Sequence, residues 1–159
     1  MNLIDNRFGD RPRLRSDCMA RVPLVCLVDD ADDYRLLVET IFKRFFPDYS
    51  FRSFVNGPAF LAALPQLSET PDLILLDQYM PLLSGYQTLV TLKQQTAYQS
   101  TPVVMMSVDA SHSEIASFYQ ARAAFFLPKP MDFHVLEETL LAAYQYAHNH
   151  RKFQKSHIA

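Results

Sequence analysis

Four short runs of uninterrupted apolar residues recur along the chain: Leu24-Val25-Cys26-Leu27-Val28, Leu73-Ile74-Leu75-Leu76, Val103-Val104-Met105-Met106 and Ala124-Phe125-Phe126-Leu127. Each is too short for a helix and lacks the alternation of a half-exposed strand, so each reads as a strand buried on both faces of a parallel sheet. A further segment, 50–55, reads as a strand between the first two runs.

Helical patterns fill the intervals. After the first strand Asp32 or Asp33 can cap a helix whose apolar positions are Leu36, Leu37, Ile41 and Phe45, and Pro47 stops it. Asn56-Gly57-Pro58 opens a short helix with proline in its first turn. A helix over 84–96 has Ser84 as its cap, and Ser111 or Ser113 starts another that ends near Ala121. Asp132 caps a long last helix with Val135, Leu136, Leu140, Ala143, Tyr144 and Ala147 on one face. Five strand–helix units with short connections predict an α/β fold. Its expected form is a doubly wound, five-stranded parallel sheet of flavodoxin-like order 2-1-3-4-5, with helices on both faces.

With 159 residues the chain has the length of one domain. Residues 1–21 hold five Arg and three Asp with no apolar periodicity, which reads as a flexible extension rather than a signal peptide. The domain is expected over 22–149, with a short tail over 150–159 that leaves no room for an output domain. Fifteen Lys+Arg against 17 Asp+Glu give no general attraction to nucleic acid. No run approaches the ~20 apolar residues of a membrane span. Cys18 and Cys26 form neither a disulfide framework nor a zinc spacing. These bounds imply a soluble, cytoplasmic protein without membrane insertion or direct nucleic-acid contact.

In such a sheet, ligands bind beyond the carboxyl ends of the strands. Asp29 and Asp30 follow the first strand and Asp77 the third, and those strands are neighbours in the expected order. Carboxylates about 4 Å apart repel by roughly 4 kcal/mol at an effective dielectric near 20, so the cluster must hold protons or a cation. Oxygen-only ligands suit Mg²⁺. Ser107 ends the fourth strand and offers a hydroxyl, and Lys129 ends the fifth and offers a fixed positive charge. An acidic pair alone is usually a cap or a solvated turn, and a Lys-Pro alone a surface turn. Four strand ends carrying the parts of one chemistry point instead to phosphoryl transfer onto an aspartate.

The arrangement closely resembles the receiver domain of bacterial two-component response regulators, over residues 23–149. The matching motifs are Leu27-Val28-Asp29-Asp30, Leu75-Leu76-Asp77-Gln78-Tyr79-Met80-Pro81 with Ser84-Gly85, Met105-Met106-Ser107, and Phe126-Leu127-Pro128-Lys129-Pro130. The resemblance implies that Asp77 takes a phosphoryl group from a sensor histidine kinase or histidine phosphotransfer protein. It implies Mg²⁺ (or Mn²⁺) on Asp30, Asp77 and the Tyr79 backbone carbonyl, with Asp29 acting through water. Lys129 would neutralise a phosphoryl oxygen, with a cis peptide to Pro130. Ser107 and the aromatic Phe126 would form the switch, and Tyr79 and Asp109 would tune the lifetime of the acyl phosphate.

Departures from the family pattern are local. Phe126 lacks the phenol common there, and Tyr79 stands where smaller polar residues are frequent. The usual Gly-Ala before the fifth strand is replaced within Ala121-Arg122-Ala123-Ala124, so a left-handed backbone there would carry a cost. Output is expected through the 111–149 face, to a partner protein or a second copy, with Phe118, Tyr119 and Tyr146 as candidate exposed aromatics. A pseudo-receiver that binds without phosphorylation is the alternative from another class. A dehalogenase-like phosphatase would need an acid where Tyr79 stands, and three glycines supply no phosphate loop.

Overall fold

The computed structural model describes residues 21–156, and side chains as far as 150. The N-terminal extension, Cys18 and most of the tail lie outside the described side chains. The order of elements is β1 (Leu24–Val28), α1 (Asp32–Phe45), β2 (Ser50–Phe54), α2 (Gly57–Ala63), β3 (Leu73–Asp77), α3 (Gly85–Gln94), β4 (Val103–Ser107), α4 (His112–Gln120), β5 (Phe125–Pro128) and α5 (Phe133–Ser156). All five strands are parallel in the order β2-β1-β3-β4-β5, as expected.

The apolar runs are buried on both faces because successive side chains alternate across the sheet. Val25, Leu27, Leu73, Leu75, Val104 and Met106 face α1 and α5 in one core layer. Cys26, Val28, Ile74, Leu76, Val103 and Met105 face the other layer with Phe60, Leu89, Leu92 and Phe118. β2 and β5 are the edge strands and are correspondingly half-exposed.

Helix starts follow the sequence signals at four of five places. Asn56 accepts a hydrogen bond from the Ala59 amide, and Ser84 and Ser111 each form a capping box, with Gln87 and Glu114. Asp132 Oδ1 accepts from the His134 and Val135 amides at 2.9 and 3.1 Å. The exception is α1, where Ala31 is the N-cap and Asp32 and Asp33 lie within the first turn. Their charges still favour the helix N-terminus there, without a capping hydrogen bond.

Other expectations shift by a position or a turn. The buried stripe of α1 is Tyr34, Val38, Ile41 and Phe42, with Leu37 and Phe45 packed beside it, so Leu36 is left 64% exposed. On α5 Val135 is likewise exposed, one position short of the stripe that begins at Leu136. α3 stops at Gln94, and Thr96–Tyr98 form a tighter 3₁₀ turn. Phe118 is buried in the core instead of exposed, because the inward face of α4 has few other large apolar residues. The Lys129–Pro130 peptide is trans, since no cis bond occurs among the described residues. Both forms of an Xaa–Pro bond lie within about 1 kcal/mol, so the dipeptide alone does not fix the isomer. The turn before β5 keeps a left-handed residue despite the missing glycine, and Arg122 takes that conformation with φ of 67°.

Candidate functional site

The parallel register aligns the carboxyl ends of β1, β3, β4 and β5. Asp29 follows β1 and is buried, Asp30 is exposed, and Asp77 is the last residue of β3 and buried. One oxygen from each of these three carboxylates lies within 4.8 Å of the others. Gly85 makes the local geometry possible: a Cβ there would sit 2.2 Å from the Asp77 carbonyl oxygen, so only glycine lets α3 start against the end of β3.

Lys129 reaches into this cluster with its side chain only 9% exposed. Its Nζ lies 2.6 Å from Asp29 Oδ2 and 3.5 Å from Asp77 Oδ1, so its tighter partner is Asp29. The other Asp29 oxygen accepts from the Ala31 amide at 2.9 Å. Two buried carboxylates thus share one ammonium, with the exposed Asp30 carboxylate beside them. Burial first, and then the Asp29 charge, push the Asp77 carboxyl up to about 6 against the opposing pull of Lys129. Oxygen donors at this spacing with unneutralised charge fit a hard divalent cation.

The hydroxyl and the aromatic ring have other partners. Ser107 Oγ is buried and donates to the Asp109 backbone carbonyl at 2.6 Å. Phe126 is half-buried beside Phe118, their ring centroids 6.0 Å apart, and its amide donates to the Tyr119 hydroxyl at 3.2 Å. Asp109 is exposed, and Tyr79 is 56% exposed. A groove of about 420 Å³ lined by Gln78, Tyr86, Glu114 and Phe118 lies between α3 and α4 and includes none of the three aspartates.

Residues 25–141 match the family described as the response regulator receiver domain. The chain belongs to this family. Protein PilG of Pseudomonas aeruginosa is 36% identical over 84 residues, which cover 52% of this chain and 58% of PilG. The DNA-binding transcriptional regulator NtrC of Salmonella typhimurium is 34% identical over 109 residues, covering 69% of this chain and 22% of NtrC. The receiver therefore spans little over half of the first relative and under a quarter of the second. Among solved structures, the Mn(2+)-bound form of response regulator Rcp1 superposes with a TM-score of 0.67 at 25% identity, covering 74% of this chain and 88% of that one. A receiver is a phosphoacceptor rather than a turnover enzyme, and its acidic cluster here fits a receiver metal site.

Of the residues singled out by sequence, this receiver brings Asp29, Asp30, Asp77 and Lys129 together, and holds Ser107 on the Asp109 carbonyl. Two neighbours went unnoticed in the sequence. The Tyr34 ring lies under Lys129 with Nζ 4.3 Å from its centroid. Glu114 Oε1 accepts from the Tyr79 hydroxyl at 2.9 Å. The signal for Tyr34 is its place in the first turn of the helix after the acidic pair, where a buried ring faces the sheet end. Glu114 was legible only as the third residue of a capping box. Among the described residues, no helix is long and apolar enough to cross a membrane.

Proposed function

We propose that the chain accepts a phosphoryl group on Asp77 from the phosphohistidine of a sensor kinase or a histidine phosphotransfer protein, and signals by a conformational switch. The observation that carries this reading is the convergence of Asp29, Asp30 and Asp77 within 4.8 Å, with Lys129 against two of them. A carboxylate oxygen of Asp77 forms the new P–O bond as the donor's P–N bond breaks, its electron pair returning to the imidazole. Asp29, Asp30, Asp77 and the Tyr79 carbonyl would hold Mg²⁺ (or Mn²⁺), which when bound offsets the carboxylate charge and polarises the phosphoryl oxygens. Lys129 neutralises a phosphoryl oxygen.

In the switch, Ser107 gives up the Asp109 carbonyl for the phosphoryl group, and Phe126 follows into the space released. Output passes through the 111–149 face to a partner protein or a second copy, and Tyr119, Phe125 and Tyr146 give that face its aromatic character. Tyr119 is 48% and Phe125 39% exposed, and the Phe125 and Tyr146 rings meet edge-on at 4.5 Å. We place the protein in the cytoplasm, where such kinases present phosphohistidine.

Intact mass after incubation with acetyl phosphate and Mg²⁺ tests the reading. The wild type is expected to gain one phosphoryl group and Asp77→Ala none. A folded wild type that gains none overturns it in favour of a binding module that works without phosphorylation.

A further inference from the structure

We propose that Tyr34 is a positioning residue for phosphoryl transfer, its ring serving as the platform on which the Lys129 ammonium moves between Asp29 and the phosphoryl group on Asp77. This rests on the reading of Asp77 as phosphoacceptor. The Lys129 side chain is only 9% exposed, and Nζ lies 4.3 Å from the Tyr34 ring centroid. An ammonium has three donors and no acceptor. Two donors face Asp29 and Asp77, at 2.6 and 3.5 Å.

What stands beneath the cation decides whether it can move. A carbonyl or carboxylate would fix Nζ along one lone-pair direction, and an aliphatic chain would leave it desolvated without compensation. A ring face attracts a buried cation through its quadrupole while consuming no N–H. Neighbouring positions over the face are then close in energy, and all three donors remain for oxygens. Lys129 starts nearer Asp29 than Asp77, so it has a displacement to make when negative charge arrives on Asp77.

The ring is itself held rigidly. Tyr34 is 6% exposed and packs in the core layer with Val38, Ile41 and Leu136. Its hydroxyl is buried with no hydrogen-bond partner among the described residues. Burial, and then the charges of Asp29 and Asp77, push that phenol above its ordinary range, so it stays protonated. The hydroxyl meets no partner that packing requires, which assigns the role to the aromatic face.

The test pairs a contact readout with a rate. The Lys129 ε-methylene protons, identified by their loss in Lys129→Met, are expected to be ring-shifted upfield in the wild type and in Tyr34→Phe, but not in Tyr34→Leu. At saturating acetyl phosphate and Mg²⁺, Tyr34→Phe is expected to phosphorylate within about twofold of wild type, and Tyr34→Leu about tenfold more slowly. Trifluorophenylalanine at position 34 keeps the shape and the core but weakens the face, and is expected to slow the reaction severalfold. That effect is one a purely structural ring would not show, and it decides the matter if Tyr34→Leu does not fold. Wild-type rates in the fluorinated protein, or equal losses in Tyr34→Phe and Tyr34→Leu, overturn the proposal. A wild type that accepts no phosphoryl group overturns the proposed function along with it.

Discussion

The Tyr79 hydroxyl donates to Glu114 Oε1 at 2.9 Å, tying the loop after β3 to the capping box of α4. The same Glu114 side chain accepts from the Ser111 amide and hydroxyl, at 2.9 and 2.8 Å through Oε2. The Ser111 bonds hold the Glu114 carboxyl below its usual range, with the Tyr79 bond adding to them. One carboxylate thus joins the rim of the site to the start of the helix that follows Ser107.

The tether holds the Tyr79 ring two residues past Asp77, and a ring held there is expected to limit the approach of water to an acyl phosphate on Asp77. Tyr79→Asn removes the ring, and is expected to shorten the phosphoryl lifetime at least threefold. Tyr79→Phe and Glu114→Gln, which release the tether alone, are expected to give smaller and non-additive changes in the same direction. Decay of the phosphorylated mass after donor removal measures this. A lifetime unchanged in Tyr79→Asn would sink the shielding role.

Burial and Asp29 raise the Asp77 carboxyl to about 6, so the folded protein binds a proton that the unfolded chain releases nearer 3.8. For an acid raised in the folded state, stability falls as pH rises through this window and the loss is complete above about pH 6. Asp77→Asn is therefore expected to stabilise the metal-free protein at pH 7 by on the order of 2 kcal/mol. That advantage should shrink as pH falls toward 4. Mg²⁺ should reverse the order by raising the wild-type melting temperature more than that of the variant. Thermal melts in chelator and in Mg²⁺ across pH 4–8 measure both. A gap independent of pH would show that the burial of Asp77 is relieved in another way.

The sheet was legible in the sequence because β1, β3 and β4 are buried on both faces and carry no polar residue before their ends. The same legibility extended to Asp29, Asp77 and Ser107, which mark where those runs stop, and Lys129 follows the half-exposed β5. Helix faces were less legible. An apolar residue such as Leu36 or Val135 can sit one position off the buried stripe, and nothing in its identity says so. Phe118 failed for the opposite reason: α4 has few large apolar residues, so its single buried ring could not be told from an exposed one. Tyr34 and Glu114 meet side chains from just after β5 and from the loop after β3, contacts that no local pattern encodes.

Arg122 carries the cost that a missing glycine before β5 implied for this stretch. It closes the turn before β5 with φ of 67°, and its amide donates to the Tyr119 carbonyl at 3.0 Å. A left-handed conformation costs a non-glycine residue about 1–2 kcal/mol, partly offset in glycine by the greater freedom of its unfolded chain. Arg122→Gly is expected to raise stability by about 0.5–1 kcal/mol in denaturant unfolding, while Arg122→Val lowers it. The phosphorylation rate should not change, because the turn lies at the amino end of β5, away from Lys129. A destabilised Arg122→Gly would mean that the arginine side chain contributes more than the backbone loses.

Gly85 joins the fold to the site most directly. A methyl group there would lie 2.2 Å from the Asp77 carbonyl oxygen and 2.8 Å from the Gln78 Cα, both backbone atoms that no rotamer change can move. The Gly85 amide also donates to the Gln78 carbonyl at 2.9 Å, so the helix cannot retreat without breaking that bond. Gly85→Ala must therefore displace the end of β3, which carries Asp77 and abuts Met106 of β4. The expected result is a destabilisation of about 2 kcal/mol or more, of the size that overpacking produces. A loss of phosphorylation is expected with it, even at temperatures where the variant remains folded. Gly57→Ala gives the contrast, because its methyl would meet the Thr88 hydroxyl at 2.2 Å and Leu83 side-chain atoms, none of them backbone of β3. That variant should lose stability but phosphorylate normally while folded. If Gly85→Ala behaved in the same way, the backbone at Asp77 would have to tolerate displacement without consequence for the chemistry.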